Sequence, residues 1–401
     1  MTLPSAFSPT RAAALARQAE FLPLAGRYAA ERNFVREGHH QVARLSPWLQ
    51  KRQLLESEVV AAVRAQWPFN AVEKFVQEVY WRTYWKGWLE QRPAAWSRWQ
   101  TAVPVLRASL KGERRNAYES ALTGHTGITC FDAWARELVA TGYLHNHARM
   151  WFASIWIFTL RLPWELGAAF FYEHLLDGDA ASNTLSWRWV AGLQTQGKTY
   201  LARADNISHY TDGVFAPESR ELASQAFEIT EEPLPKVAAW SPSPTAAQAT
   251  GQRQGLWLHA EDLAAECGEL ASHKFVSVYA PWPQAIASQA GWGERVTAWT
   301  AAALNEGVQR AANHFKAPLD GGPTDNFGAS LVTWAKAQNL TDVVAYRPFI
   351  GPWHPYALEA ESALKAAGIN LIWKRRAWDT QLFPHATRGY FPFWEHVKSL
   401  G

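Results

Sequence analysis

The segment Thr141–Gly192 concentrates the residues of this chain whose types and spacing could do chemistry. His145 precedes Arg149 by four positions, so both side chains lie on one face of a predicted helix. Further along, Asp177 and Asp179 flank a glycine, and two tryptophans follow them. Carboxylates beside an arginine can hold the polar edge of a large aromatic cofactor, and tryptophans can carry electrons to it. A metal site is the weaker alternative, because no EF-hand loop follows the paired aspartates.

Two kinds of secondary structure are predicted to position these residues. Residues 8–210 have apolar positions at helical spacing and few glycines, which predicts a mostly helical domain. Residues 254–401 alternate short apolar strands with helices, which predicts a Rossmann-like parallel α/β sheet. Residues 232–253 are rich in proline, serine, alanine and threonine, a composition typical of a linker. The predicted organisation is therefore an all-helical domain at 1–231, a linker at 232–253 and an α/β domain at 254–401.

Local periodicity also predicts individual elements. The clearest helices of the first domain are predicted at 54–65, 72–91, 131–141, 144–160 and 166–176. In the second domain strands are predicted at 255–260, 274–282, 342–348 and 369–375, with helices at 295–314, 329–338 and 356–368. No glycine-rich nucleotide fingerprint follows any of these strands.

Composition limits the class of protein. The chain has 401 residues, including 23 Trp but only two Cys, Cys130 and Cys267. Two cysteines cannot hold a four-cysteine iron–sulfur cluster or a disulfide framework, so we expect neither. No apolar run is long enough to span a bilayer, and the first residues lack the apolar core of a signal peptide. These features predict a cytoplasmic protein without membrane attachment, and a monomer is the default expectation.

Charge is spread unevenly along the chain. Residues 1–120 hold 18 Lys+Arg against 10 Glu, a net charge of +8, whereas the remaining 281 residues carry a net charge of −5. A basic lobe suits a polyanionic partner such as DNA. A solvated helix surface would give the same pattern, so the charge alone leaves both interpretations open.

Four segments of the helical part carry a more specific pattern. In chain order they read GRYAAERNFVREGHHQVARLSPWL, EVYWRTYW, TGYLHNHARM and LLDGDAASNTLSWRWVAG. Together they resemble the flavin-binding core of the DNA photolyase/cryptochrome family, over roughly residues 8–215. The resemblance implies a helical FAD-binding fold, bound FAD and chemistry driven by light.

The resemblance also implies which residues bind FAD. They are Tyr28, Leu45, Ser46, Arg82, Arg149, Asp177, Asp179 and Asn183. Relatives often place an aspartate ten residues after the arginine, but Thr159 stands at that position here. We therefore expect Arg149 to pair with Asp177.

One departure concerns the phosphates of FAD, which the first segment is implied to wrap. The usual Thr-Ser pair of the family is replaced by Val42 and Ala43, so two hydroxyl contacts are missing. Three nearby side chains could take their place, namely Arg44, His39 and His40. A phosphate needs such donors at a turn or a helix N-terminus.

Contacts to damaged DNA and an electron relay are implied in the same way. The implied lesion-contacting residues are Glu78, Trp81, Asn146, Met150 and Trp189, because a carboxyl can bind base edges and an indole can stack on an unstacked base. Trp187 and Trp164 match the first two members of the family's tryptophan relay, with Tyr118, Trp99 and Trp96 as candidates for the third. Catalytic roles are implied for Glu78, Asn146, Met150, Asn183, Trp164 and Trp187.

The second domain shows a weaker resemblance. Residues 254–401 are similar to the α/β antenna domain that opens ordinary photolyases, which implies the two family domains in swapped order. A second, antenna chromophore such as a pterin, a deazaflavin or another flavin could bind the loops Phe349–Leu358 and Arg375–Trp394, since ligands bind at strand ends in such sheets. Alternatively, these loops simply pack against the helical domain.

The resemblance implies a light-driven, FAD-dependent lyase of the deoxyribodipyrimidine photolyase type. Its substrate would be the cyclobutane pyrimidine dimer in UV-damaged DNA. The alternative is a cryptochrome-like blue-light photoreceptor that binds FAD without repairing DNA. A third interpretation is a scaffold that binds DNA or protein and has lost FAD.

Overall fold

The computed structural model describes residues 7–235, 237 and 253–400. Most of the predicted linker, residues 236 and 238–252, lies outside the described residues. Regular structure up to residue 221 is helical, and all five strands begin at or after Gln254. Within the described ranges, no helix is both long and apolar enough to cross a membrane.

Twelve α-helices build the first part of the chain. They are α1 (Arg11–Phe21), α2 (Tyr28–Glu31), α3 (Ser46–Gln50), α4 (Glu56–Gln66), α5 (Phe69–Glu90), α6 (Ala94–Ser109), α7 (Gly112–Thr123), α8 (Thr129–Thr141), α9 (Asn146–Ser154), α10 (Trp164–His174), α11 (Ala180–Val190) and α12 (Ala204–Tyr210). A π-helical turn, Ile155–Thr159, continues α9. The helices predicted from periodicity are confirmed, with ends that shift by a few residues.

A five-stranded parallel sheet forms the second part. Its strands are β1 (Gln254–Trp257), β2 (Ser277–Pro283), β3 (Leu319–Thr324), β4 (Asp342–Tyr346) and β5 (Asn370–Lys374), in the spatial order β3-β2-β1-β4-β5. The helices of this part are α13 (Ile286–Ala290), α14 (Glu294–Phe315), α15 (Phe327–Ala337), α16 (His354–Ala366), α17 (Ala377–Leu382) and α18 (Tyr390–Ser399). The predicted fold class, helical domain plus Rossmann-like sheet, is confirmed.

The chain order reverses between β1 and β4, and a ligand of such a sheet would bind at the carboxyl ends of these two strands. Here the chain fills that position itself. His259 Nε2 donates to the Tyr346 carbonyl at 2.7 Å, and the Phe349 amide donates to Glu261 at 2.8 Å. The next amide, that of Ile350, donates to Glu90 of α5 at 2.8 Å. The first loop thus packs against the helical part, and an antenna chromophore stays a prediction.

Helix α5 is the element on which the two parts meet. Gly87 lets the C-terminal segment approach closely, because a Cβ at this position would lie 3.0 Å from Phe383 and Ala386. Trp378 Nε1 donates to Thr83 Oγ1 at 2.9 Å, and Tyr84 Oη donates to the Arg388 carbonyl at 2.6 Å. The same helix carries Glu78, Trp81 and Arg82, so its position fixes three predicted site residues.

Candidate active site

A cavity of about 790 Å³ lies between α5, α9, α11 and the turn before α3. Volumes of this size are typical of cofactor and ligand pockets. Thirteen of the fifteen predicted site residues line it: Tyr28, Leu45, Ser46, Glu78, Trp81, Arg82, Asn146, Arg149, Met150, Asp177, Asn183, Trp187 and Trp189. Asp179 and Trp164 are not among its lining residues. Residues that the resemblance implies in four separate segments therefore line one cavity.

Arg149 and Asp177 form the charged pair of this cavity. Arg149 Nη1 and Nη2 donate to the two carboxylate oxygens of Asp177 at 3.1 and 2.9 Å, and its Nε donates to the Leu144 carbonyl. The predicted pairing is confirmed. Thr159 takes no part, because its hydroxyl accepts the amide of Ala223. The bidentate geometry holds the guanidinium plane at the wall of the cavity.

Asp179 is buried beside the cavity, and its predicted contact with FAD stays a prediction. Its carboxylate accepts Lys86 Nζ at 2.7 Å, lies 3.7 Å from Arg82, and caps α11 by accepting the Ser182 amide. Burial acts to raise the pKa of Asp179, but Lys86 and Arg82 outweigh it and hold the pKa well below its ordinary value. The sequence does not predict this role for Lys86, because a single lysine within a helix is usually exposed to solvent. As placed, Asp179 orients Arg82 and the start of α11.

Helix α11 presents Asn183 and Trp187 to the cavity. Asn183 Nδ2 donates to the Ala168 carbonyl at 2.8 Å, which turns the amide to one fixed orientation. Gly167 is required beside Trp187, because a Cβ there would lie 2.3 Å from the indole ring. These contacts join α10 to α11 and fix both side chains before any ligand binds.

The tryptophan relay has a different local geometry from the one predicted. The aromatic rings that contact Trp187 within the described ranges are those of Phe152, Trp156 and Phe171, at centroid distances of 6.4, 6.2 and 5.0 Å. Trp164, the predicted second member, is buried and makes a cation–π contact to Arg188 instead. The relay stays a prediction, and Trp156 is the tryptophan whose ring lies against Trp187.

Arg44 offers an unpartnered donor among the residues predicted to contact the phosphates of FAD. Arg44 Nε is buried without a hydrogen-bond partner, and burial, followed by the charge of Arg17, lowers the Arg44 pKa. Of the three candidates for the missing hydroxyls, Arg44 lines the cavity, whereas His39 is bound to Glu137 at 2.6 Å. His40 is also absent from the lining residues. Arg44 is partly buried and lies near the positive charge of Arg17, so it is suited to bind an anion.

Glu78 and Trp81 line the cavity on the side of α5. Glu78 pairs with Arg32 Nη1 at 2.6 Å. Burial raises the pKa of Glu78, and the Arg32 charge opposes that rise. Trp81 is half-buried, and one face of its indole stacks on Tyr390 of α18 with centroids 3.6 Å apart and planes 8° apart. The aromatic environment of this side therefore includes a residue from the far C-terminal segment.

The sequence of this chain is similar to those of known flavoproteins. Residues 75–215 match the family described as the FAD binding domain of DNA photolyase. The chain is 34% identical over 208 residues to the deoxyribodipyrimidine photo-lyase of Streptomyces griseus, covering 47% of this chain and 43% of that protein. It is 28% identical over 222 residues to the cryptochrome DASH of Idiomarina loihiensis, covering 54% and 47% of the two chains.

Residues 75–215 therefore match the FAD binding domain of DNA photolyase, and the chain is similar both to photolyases and to a cryptochrome DASH. It spans less than half the length of these two curated relatives. A solved bacterial class III photolyase from Agrobacterium tumefaciens aligns with 50% of this chain and 42% of its own, with 24% identity and a TM-score of 0.43.

A photolyase-type FAD-binding domain is thus present, and its cavity fits FAD. Residues that line the cavity carry four buried donors without a hydrogen-bond partner in the described protein, namely Arg44 Nε, Arg82 Nη1, His145 Nε2 and Trp187 Nε1. Buried donors are almost always satisfied in native proteins, so a bound molecule rich in acceptors is expected to satisfy them. The phosphates and ring edge of FAD supply such acceptors.

Some cavity residues were missed by the sequence analysis. Arg32, His147, Tyr200, Asn206 and Phe391 also line the cavity. His147 Nδ1 donates to the Asn33 carbonyl at 2.8 Å, which ties α9 to the segment after α2. Arg32 and His147 lie within two of the four quoted segments, but the resemblance assigned no role to their positions. The fold brings Tyr200, Asn206 and Phe391 to the site from outside those segments.

Proposed function

We propose that this protein is a light-driven, FAD-dependent photolyase that repairs cyclobutane pyrimidine dimers in DNA. One observation carries the proposal. The five side chains implied to contact the lesion, Glu78, Trp81, Asn146, Met150 and Trp189, line the same cavity as the charged pair and Asn183 implied to contact the flavin. A lesion held there would lie directly beside the cofactor.

FAD, when bound in its reduced form, supplies on illumination the one electron that splits the dimer and that returns afterwards. The protein contributes binding and orientation. Glu78, with its raised pKa, can donate to or accept from the edges of the damaged bases, and Arg32 fixes its carboxyl. Asn146, at the first position of α9, and Met150, one turn later, line the same part of the cavity. A dimer is a poorly stacked pair and is therefore cheap to extrude from a duplex.

The basic residues of the first 120 positions support DNA as the partner. This part carries a net charge of +8, and a DNA-binding surface must neutralise phosphates. The names of several relatives agree, since those from Streptomyces griseus, Salmonella typhimurium and Thermus thermophilus are deoxyribodipyrimidine photo-lyases. Monomeric state and cytoplasmic location belong to the same proposal.

Binding of the lesion tests this assignment through Glu78. We expect Glu78→Ala to weaken the affinity for a dimer-bearing oligonucleotide about 10- to 100-fold, because hydrogen bonds to charged groups contribute about 1.5–3 kcal/mol. Flavin content should stay unchanged, since Glu78 pairs with Arg32 and not with a residue implied to bind FAD. The measurement is a fluorescence-anisotropy titration in the dark.

Glu119→Ala is the matched control for this substitution, because Glu119 is an exposed helix carboxylate paired only with Arg115. It should bind as the wild type does. Equal affinity of the Glu78→Ala and Glu119→Ala proteins would refute the role of Glu78. Loss of flavin from the Glu78→Ala protein would show that this carboxyl serves the cofactor rather than the lesion.

A blue-light photoreceptor without repair activity is the second candidate, and one observation favours it. Tyr390 already covers one face of Trp81, where a damaged base is implied to stack. The match to a cryptochrome DASH is consistent with this candidate. A wild-type protein that retains FAD but binds dimer-bearing and undamaged DNA equally would support it.

A further inference from the structure

Helix α18 places two adjacent aromatic residues at the mouth of the cavity, and they differ sharply in exposure. Tyr390 is 4% exposed, whereas Phe391 is 70% exposed. Phe391 is also the one residue of the C-terminal α/β part among the residues that line the cavity. Phe391 buries little apolar surface in the isolated protein, and its position at the cavity makes it available for contact with a ligand.

The backbone that carries Phe391 is held rigidly. Tyr390 stacks on Trp81 and its hydroxyl donates to the Gln77 carbonyl of α5 at 2.7 Å. Tyr84 Oη donates to the Arg388 carbonyl at 2.6 Å, on the other side of the helix start. Phe393 and Trp394 are buried in the following turn. Phe391 is therefore anchored on both sides and loses little freedom if it contacts a ligand.

The Tyr390–Trp81 stack leaves one face of the Trp81 indole unavailable to a nucleobase. With a 3.6 Å centroid distance and nearly parallel planes, Tyr390 occupies one face of Trp81 completely. A base at the mouth of the cavity cannot use that face. The ring of Phe391, one residue along the same helix, is the accessible aromatic surface on this side of the cavity.

Arg388 supplies a positive charge three residues before Phe391, just ahead of the start of α18. Arg388 is exposed, and no carboxylate in the described ranges lies within ion-pair distance of its guanidinium. An exposed aromatic ring and an unpaired guanidinium on one short segment can together bind an unpaired nucleotide, by stacking on the base and by charge on the phosphate.

We propose that Phe391 stacks on a nucleobase of the damaged strand at the mouth of the cavity, with Arg388 contacting a phosphate of that strand. This inference rests on the proposed function, because it needs a DNA strand at the cavity. It assigns the C-terminal α/β part a direct role in holding the substrate. The base in question flanks the dimer, since the cavity itself is lined by the residues implied to contact the dimer.

The test compares Phe391→Ala with Phe391→Trp in the full-length, flavin-bound protein. The probe is a dimer-bearing duplex with 2-aminopurine beside the dimer, and the readouts are affinity and 2-aminopurine fluorescence. Base–aromatic stacking predicts that Phe391→Ala weakens binding about 5- to 100-fold and changes the fluorescence of the bound probe. Phe391→Trp should restore both signals, because indole stacks at least as well. Arg388→Ala should lower the dependence of log affinity on log salt by about one unit.

Leu400→Ala is the matched control, because Leu400 is an exposed apolar residue that directly follows α18, at the end remote from the cavity. It should leave both readouts as in the wild type. If the wild type prefers dimer-bearing DNA and Phe391→Ala matches it in affinity and fluorescence, the inference is wrong and the proposed function stands. If the wild type shows no preference for dimer-bearing DNA, both are wrong.

Discussion

Replacing Asp177 with alanine is expected to yield a purified protein without bound FAD. Asp177 is almost fully buried and accepts two hydrogen bonds from Arg149 at the cavity wall. Removing one partner of a buried pair costs about 3–5 kcal/mol, because the other charge is left uncompensated. Arg149 would also lose its orientation, and with it the positive charge that we propose it presents to the flavin ring. The ratio of flavin absorbance to protein absorbance after purification measures the effect.

Asp205→Ala is the control for this substitution. Asp205 also pairs with an arginine, Arg203, but both side chains are about two-thirds exposed, so the pair contributes little. The Asp205→Ala protein should retain FAD as the wild type does. A fully flavin-loaded Asp177→Ala protein with an unchanged thermal midpoint would contradict the role given to this pair.

The second large effect is expected at Arg52, where the two parts of the chain meet. Arg52 donates two hydrogen bonds to Asp379 at 2.7 and 2.6 Å and lies 3.4 Å from Asp262, and all three side chains are buried. Arg376 binds the other side of Asp262. Arg52→Ala should lower the free energy of unfolding by about 3–5 kcal/mol, since it leaves a buried carboxylate without its partner. Urea unfolding followed by tryptophan fluorescence measures this change.

Arg115→Ala provides the comparison for Arg52. Arg115 forms an exposed pair with Glu119 on α7, and such a pair is expected to contribute about 0.3–0.5 kcal/mol. Equal unfolding midpoints for the two variants would show that the buried pair does not hold the α/β part on the helical part. A separate early transition confined to Arg52→Ala would locate the loss at this contact.

Much of the fold could be predicted from local pattern. The periodicity of residues 72–91 predicts one long helix, and α5 runs Phe69–Glu90. Four strands were predicted because they are short apolar runs, but β3 was not. Its sequence contains Gly321, Gly322 and Pro323 and is largely exposed at the sheet edge, so neither propensity nor hydrophobicity marks it as a strand.

The Arg149–Asp177 pair could be predicted because both residues belong to the segment Thr141–Gly192 and Thr159 stands at the usual partner position. The contact between Asp179 and Lys86 was not predicted, because Lys86 lies on another helix. The Trp81–Tyr390 contact joins residues more than three hundred positions apart. The local sequence pattern around each residue does not predict this contact. Tertiary packing of α18 on α5 decides which aromatic face a substrate can reach.

Light-dependent repair of cyclobutane dimers by this protein is tested most directly by one measurement. The flavin-bound protein, reduced and mixed with an oligonucleotide that carries a single cyclobutane dimer, is illuminated and the remaining dimer is quantified. The account predicts that dimers disappear under light, that they persist in the dark, and that Glu78→Ala slows the loss at limiting protein. Complete persistence of dimers under light, with FAD bound and reduced, would contradict the account and leave photoreception as the function to pursue.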